Sequence, residues 1–77
     1  MEPYEFEDGV TSENAKRYIL VHGGSEELAE KFYSYCLSTE SGEDKYSQDL
    51  QDNIEILFCI VDISDEDIVA QLSVRLP

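Results

Sequence analysis

The feature that most constrains the fold is the apolar run at residues 54–61. Every residue of this run is apolar except Glu55, and β-branched and aromatic side chains are frequent in it. A run this short and this apolar is typical of a strand that is covered on both faces. We therefore expect residues 54–61 to form the central strand of a small sheet.

A second pattern follows the acidic connection at residues 62–67. Between Ile68 and Leu76, apolar residues alternate with other residues, and this is the period of a strand with one buried face. Two strands joined by a short polar connection form an antiparallel hairpin. The same residues also allow two helices, with Ser64 as an N-cap and Asp67 three residues later. We predict the hairpin.

Helices are predicted before this stretch. Ser25 is expected to cap a helix that ends near Thr39, because two glutamates follow it and an apolar stripe runs at helical spacing. Residues 38–44 have the composition of a loop, and residues 45–53 are expected to form a short helix. Residues 11–24 fit either a helix ended by Gly23 or a strand over residues 16–22. Their start and stop signals favour the helix.

The first nine residues alternate Tyr4 and Phe6 with Glu5 and Glu7, which favours a short edge strand with the acids outward. The predicted fold is therefore a small α+β domain over residues 1–77. Two to three helices pack on one face of an antiparallel sheet, which consists of the C-terminal β-hairpin and a possible N-terminal strand. An all-α bundle is the alternative. A chain of 77 residues has room for only one small core.

Charge gives the clearest indication of function. Eighteen acids and 5 bases give a formal net charge of −13, and no lysine or arginine lies between Lys45 and Arg75. Such a chain repels nucleic acid and anionic membranes, and it attracts basic proteins. The apolar content of 42 % argues that the chain folds. Self-repulsion of the acids should lower its stability, so added salt should raise the melting temperature.

The cysteines and the apolar runs bear on the compartment. Cys36 and Cys59 lie in apolar surroundings without metal-ligand spacing, so both are expected to be buried thiols. No apolar run is long enough for a membrane span, and no leader pattern precedes the domain. We expect a cytoplasmic protein.

No pattern in the chain predicts catalysis. Residues 18–24, which end in His22-Gly23-Gly24, resemble the strand and oxyanion turn of the α/β-hydrolases. The nucleophile elbow and the rest of that family's triad are missing, so we expect a structural turn. The acids of residues 62–67 do not follow the order of a calcium-binding loop. The prediction is a protein that is not an enzyme and holds no cofactor or metal.

The acids themselves are therefore the best candidate for function. Neighbouring carboxylates such as Glu26 and Glu30 are about 5.4 Å apart along a helix, and strand neighbours such as Glu5 and Glu7 about 6.6 Å, which is comparable to phosphates one or two steps apart. Tyrosines beside acids, Tyr33 among them, can anchor an interface. The predicted partner-binding residues are Glu5, Glu7, Glu26, Glu27, Glu30, Tyr33, Asp49, Asp52, Asp65, Glu66 and Asp67.

In size and charge, the chain resembles phage-encoded counter-defence proteins such as anti-CRISPRs and DNA mimics, and also nuclease immunity proteins and antitoxins. That resemblance implies an inhibitor that occupies the nucleic-acid-binding groove of a basic protein or nucleoprotein complex, such as a nuclease or CRISPR effector, without binding nucleic acid itself. The alternative is a small structural or adaptor domain that forms a homodimer or binds a partner through a sheet edge.

Overall fold

A computed structural model describes residues 11–77, which form four α-helices and contain no strand. The helices are α1 (Ser12–Val21), α2 (Glu26–Ser41), α3 (Gln48–Cys59) and α4 (Asp65–Arg75). The predicted α+β fold is therefore wrong, and the alternative, an all-helical architecture, is correct for this part of the chain. The expected edge strand with Glu5 and Glu7 lies outside the described residues.

Each helix begins with the same capping arrangement. The N-caps Thr11, Ser25, Ser47 and Ser64 have extended backbones, and each hydroxyl oxygen accepts a hydrogen bond from the amide three residues later. Such a cap stabilises a helix by about 1 kcal/mol relative to alanine. All four helices also carry acids in their first turn, where the helix dipole favours negative charge. The predicted cap at Ser25 is confirmed.

The first two helices form a hairpin with a tight turn. The α1 stripe of Ala15, Tyr18 and Ile19 is fully buried, as the helical interpretation of residues 11–24 requires. Gly23 supplies the turn with a φ of +85°, a conformation that favours glycine. A Cβ on Gly24 would overlap the side chain of Ile19, so the absence of a side chain allows this close approach.

The second helix is longer than the sequence predicts, because it continues to Ser41 through the start of the expected loop. Gly42 ends it with a φ of +75°, and its amide donates to the carbonyls of Ser38 and Thr39. The following helix, α3, starts at Gln48 and runs on to Cys59, through most of the supposed central strand.

The central strand was predicted because α3 is apolar on two sides. Ile54 and Leu57 face the core, as one face of an amphipathic helix should. Ile56 and Ile60 are nevertheless exposed by 59 % and 49 %. Ile56 lies between the two core residues and Ile60 follows them, so the sequence looks like a strand that is buried on both faces.

The final strand was predicted from an alternation that does not match the buried residues. In α4 and the residue after it, Ile68, Val69, Leu72 and Leu76 are buried, at spacings of one, three and four residues that belong to a helix. Val74, which the strand pattern places on the buried face, is 81 % exposed. The cap at Ser64 was the signal that identified the correct structure.

One hydrophobic core joins the four helices. Tyr18 and Ile19 come from α1, Phe32 from α2, Leu57 from α3 and Leu72 from α4, and all five are almost completely buried. Phe58 is only partly buried, but its ring stacks on Phe32 with a centroid distance of 5.9 Å. Aromatic packing therefore connects the α1–α2 hairpin to α3.

Candidate protein-binding site

Two of the three acids predicted on α2 are compensated by nearby lysines. Lys16 of α1 forms an ion pair with Glu30, and Lys31 lies 3.7 Å from Glu27 in an i, i+4 pair. The pairing with Glu30 raises the pKa of Lys16, first through the hydrogen bond and then through the charge. Glu26 is the third predicted acid, and it is exposed in the first turn. The start of α2 therefore presents less uncompensated charge than its sequence implies.

The acids of α3 have no such compensation. Asp49, Asp52 and Glu55 are exposed at spacings of three residues, and we call these three residues the α3 acidic stripe. The carboxylate of Asp52 accepts a hydrogen bond of 2.9 Å from the side-chain amide of Gln48. Within residues 11–77, the ion pairs are confined to the α1–α2 hairpin and to the contact between His22 and α4. The three acids of the stripe are thus exposed and have no ion pair with a basic residue of the described chain.

The acids at the start of α4 have two different environments. Asp65 accepts a hydrogen bond of 3.2 Å from the Tyr18 hydroxyl and lies 3.5 Å from Nε2 of His22. It therefore joins α1 to α4 and has a structural role besides its charge. Glu66 and Asp67 are exposed, so their carboxylates remain available to a partner.

The tyrosines also differ in accessibility. Tyr33, the tyrosine predicted to contact a partner, is half-buried on α2. Tyr35 is buried, and its hydroxyl donates to the main-chain oxygen of Gln51 at 3.4 Å. Burial, with the nearby charges of Glu55 and Asp52 as smaller causes, raises the pKa of Tyr35 to about 12. Tyr35 is therefore close to two acids of the α3 acidic stripe.

A cleft of about 420 Å³ opens between α2 and α3 beside this stripe, and we call it the α2–α3 cleft. Its lining residues are Phe32, Tyr35, Cys36 and Thr39 of α2, and Ile54, Glu55, Phe58 and Cys59 of α3. Most of these side chains are apolar or aromatic, and one is an acid of the stripe. The cleft therefore combines an apolar interior with a negatively charged edge.

The two cysteines lie on this cleft in different environments. Both thiols are free, and Cys36 is buried as predicted, whereas Cys59 is exposed and that prediction is wrong. Burial, with a smaller contribution from Glu40, raises the pKa of Cys36 to about 12. A reagent for thiols should therefore distinguish the two positions.

The sequence interpretation missed the cleft for a clear reason. Phe58 and Cys59 were assigned to a strand, so their helical spacing from Glu55 was not considered. The same error hid the i, i+3 spacing that places Glu55 in one row with Asp49 and Asp52. A helix over residues 48–59 that begins at the Ser47 cap implies both spacings, whereas the cleft itself depends on how α2 and α3 pack.

His22 lies at the turn between α1 and α2, with its ring against α1. Nε2 of His22 is buried without a hydrogen-bond partner among residues 11–77, and the ring packs on Tyr18 at 4.7 Å. No group of three or more histidine, cysteine, aspartate or glutamate side chains in the described residues has the geometry of a metal site. Among the same residues, no helix combines the length and apolar character needed to cross a membrane.

Comparison with known proteins gives no further indication of function. No protein-family model matches the chain, and neither the curated proteins nor the solved structures contain a significant match.

Proposed function

We propose that this protein is an inhibitor that occupies the nucleic-acid-binding groove of a basic protein or nucleoprotein complex. The α3 acidic stripe is the contact surface, and Glu66 and Asp67 add charge at the start of α4. The observation that carries the proposal is that basic residues are unevenly distributed: lysines pair with Glu27 and Glu30 of α2, while no lysine or arginine occurs between Lys45 and Arg75.

The geometry of α3 supports this function. Residues three apart on a helix are separated by about 4.5 Å along its axis, which is close to the spacing of about 3.4 Å per nucleotide in one strand of duplex DNA. A helix holds carboxylates at these intervals without the entropy cost of ordering a flexible acidic tail. The free thiols Cys36 and Cys59 are consistent with action in a reducing cytoplasm.

The first test is affinity capture from a lysate of the host, followed by elution with duplex DNA and, separately, with salt. The protein is compared with two variants that each lose three charges. The α3 variant carries Asp49→Asn, Asp52→Asn and Glu55→Gln. The α2 variant carries Glu26→Gln, Glu27→Gln and Glu30→Gln, and it is the matched control because the net charge is the same.

The proposal predicts that DNA releases a basic protein from the unchanged protein and from the α2 variant, and that the α3 variant no longer captures it. Equal loss in both variants would mean that only net charge matters. Capture of a neutral partner that DNA does not release would contradict the inhibitor function.

A second candidate function is a homodimeric adaptor, and the end of α3 favours it. Ile56, Ile60 and Val61 are exposed by 59 %, 49 % and 81 %. Exposed apolar residues so close in sequence are typical of a protein contact. The predicted sheet edge cannot be the contact surface of this adaptor, because residues 11–77 contain no strand. Sedimentation that shows a dimer insensitive to salt would favour the adaptor, and a monomer would favour the inhibitor.

A further inference from the structure

The interior of the α2–α3 cleft is suited to an apolar side chain. Phe32 and Phe58 stack across it with their ring planes 5° apart, and the hydroxyl of Tyr35 is already engaged by the main chain of α3. Its volume of about 420 Å³ is large enough for one or two side chains of a partner. Apolar surface of this kind gains free energy when another apolar group displaces its water.

The edge of the cleft is negative along α3. Glu55 lines it from α3, and Asp52 is close enough to affect the Tyr35 hydroxyl. On α2, Glu40 does not line the cleft, and its carboxylate accepts hydrogen bonds from the main-chain amide and the hydroxyl of Ser12. None of the lining residues is a lysine or arginine. An anionic ligand would be repelled here, and a neutral one would leave the carboxylates unused, whereas a cation next to an apolar group would match both features.

We propose that the α2–α3 cleft is the docking site for a basic amphipathic segment of the partner protein. An apolar side chain of the segment enters the cleft beside the stacked rings of Phe32 and Phe58, and its lysines or arginines lie against Asp52 and Glu55. This inference rests on the proposed function and deepens it, because it states which chemistry anchors the basic partner once charge has brought it near. Charge then determines the rate of encounter, and the apolar anchor slows dissociation.

Three synthetic helical peptides test the occupant. The first has leucine on one face and lysine on the other, the second replaces the leucines with glutamine, and the third replaces the lysines with glutamate. We expect the leucine–lysine peptide to bind at least about tenfold more tightly than either of the others. Burial of a leucine side chain is worth at least that factor against the glutamine–lysine peptide, and repulsion by Asp52 and Glu55 weakens the leucine–glutamate peptide. Fluorescence anisotropy of the labelled peptides measures this.

Two tryptophan variants test the location. Thr39 is exposed at the cleft, so Thr39→Trp fills it without replacing a core residue. Gln71→Trp adds the same side chain to an exposed position of α4 that does not line the cleft. Thr39→Trp should weaken binding of the leucine–lysine peptide about tenfold, and Gln71→Trp should leave it unchanged. Circular dichroism confirms that both variants keep their helices.

The outcomes separate this inference from the proposed function. Equal binding of the leucine–lysine and glutamine–lysine peptides would overturn the apolar anchor, and equal binding of the leucine–glutamate peptide would overturn the basic character of the segment. Unchanged binding to Thr39→Trp would overturn the cleft as its location. In each of these cases, release of a captured partner by DNA and loss of capture by the α3 variant would still support the inhibitor function.

Discussion

The hydroxyl of Tyr18 donates a hydrogen bond to the carboxylate of Asp65 at 3.2 Å, and this contact joins α1 to the first turn of α4. The main-chain oxygen of Asp65 lies 3.4 Å from the same hydroxyl. Tyr18 is buried, so its hydroxyl has exchanged water for these partners. Asp65 therefore belongs to the framework of the fold, although its sequence context groups it with the solvent-facing acids.

Tyr18→Phe should destabilise the protein by about 1–2 kcal/mol, because the ring is kept while a buried hydrogen bond to a charged group is lost. Urea unfolding measures the change. Tyr33→Phe is the control, since Tyr33 is half-buried and has no hydrogen bond through its hydroxyl in residues 11–77. Equal stability of the two variants would show that the Tyr18–Asp65 contact contributes nothing.

Replacing Gly23 or Gly24, the adjacent glycines of the first turn, with asparagine should affect stability to different extents. Gly24→Asn should cost about 1–3 kcal/mol, because a Cβ there overlaps Ile19 and lies 3.1 Å from Cγ1 of Val69. Gly23→Asn should be nearly neutral, because open space surrounds this position and asparagine tolerates its positive φ. Thermal unfolding of the pair gives the comparison, and a Gly23→Asn variant that is the less stable of the two would refute the packing explanation.

Stability should fall at alkaline pH. Burial is the main cause that raises the pKa of Tyr35 to about 12 from 10.0, and that of Cys36 to about 12 from 9.0. The folded protein therefore keeps protons that the unfolded chain releases between about pH 9 and 12, so unfolding becomes more favourable as the pH rises through this range. At a pH below the pKa values of these two groups in the unfolded chain, the folded and unfolded states both keep the protons, so the decrease in stability is absent.

Urea unfolding across this pH range measures the effect, and Tyr35→Phe should show a smaller decrease than the unchanged protein. Tyr35→Phe also removes the hydrogen bond to Gln51, so its stability at neutral pH is the reference for the comparison. A free energy of unfolding that stays constant up to pH 12 would contradict the assigned environments.

Added sodium chloride should raise the melting temperature, because screening weakens the repulsion among 18 acids that only 5 bases oppose. The exposed ion pairs of Glu27 and Glu30 lose little by screening, since such pairs contribute at most about 1 kcal/mol. The α3 variant, which has lost three charges, should respond less to salt. A melting temperature that falls from low to moderate salt would show that repulsion does not limit stability.

The helices of the first half could be predicted because their caps and stripes agree. Ser25 precedes two glutamates and a regular apolar stripe, so local chemistry and tertiary burial indicate the same element. The second half could not be assigned from apolar pattern alone. Ile56 and Val74 are exposed although they are apolar, and these exceptions imitate the periods of strands. The cap at Ser64 was the better guide there, because a capping hydrogen bond depends on local geometry.

The candidate site was predicted only in part. Asp49 and Asp52 were selected from charge, and both belong to the α3 acidic stripe. Glu55 was missed because it was placed within a strand, and the α2–α3 cleft depends on how two helices pack. The compensation of Glu30 is also a property of the fold, since Lys16 lies on a different helix from Glu30.

The α3 acidic stripe is the surface that we propose to replace nucleic acid, and its most direct test is the affinity for the captured basic partner over a range of salt concentrations. We predict that affinity falls steeply with salt for the unchanged protein and for the α2 variant, and that the α3 variant binds weakly with a much shallower dependence. The same steep dependence in the α3 variant would contradict the assignment of the stripe as the contact surface.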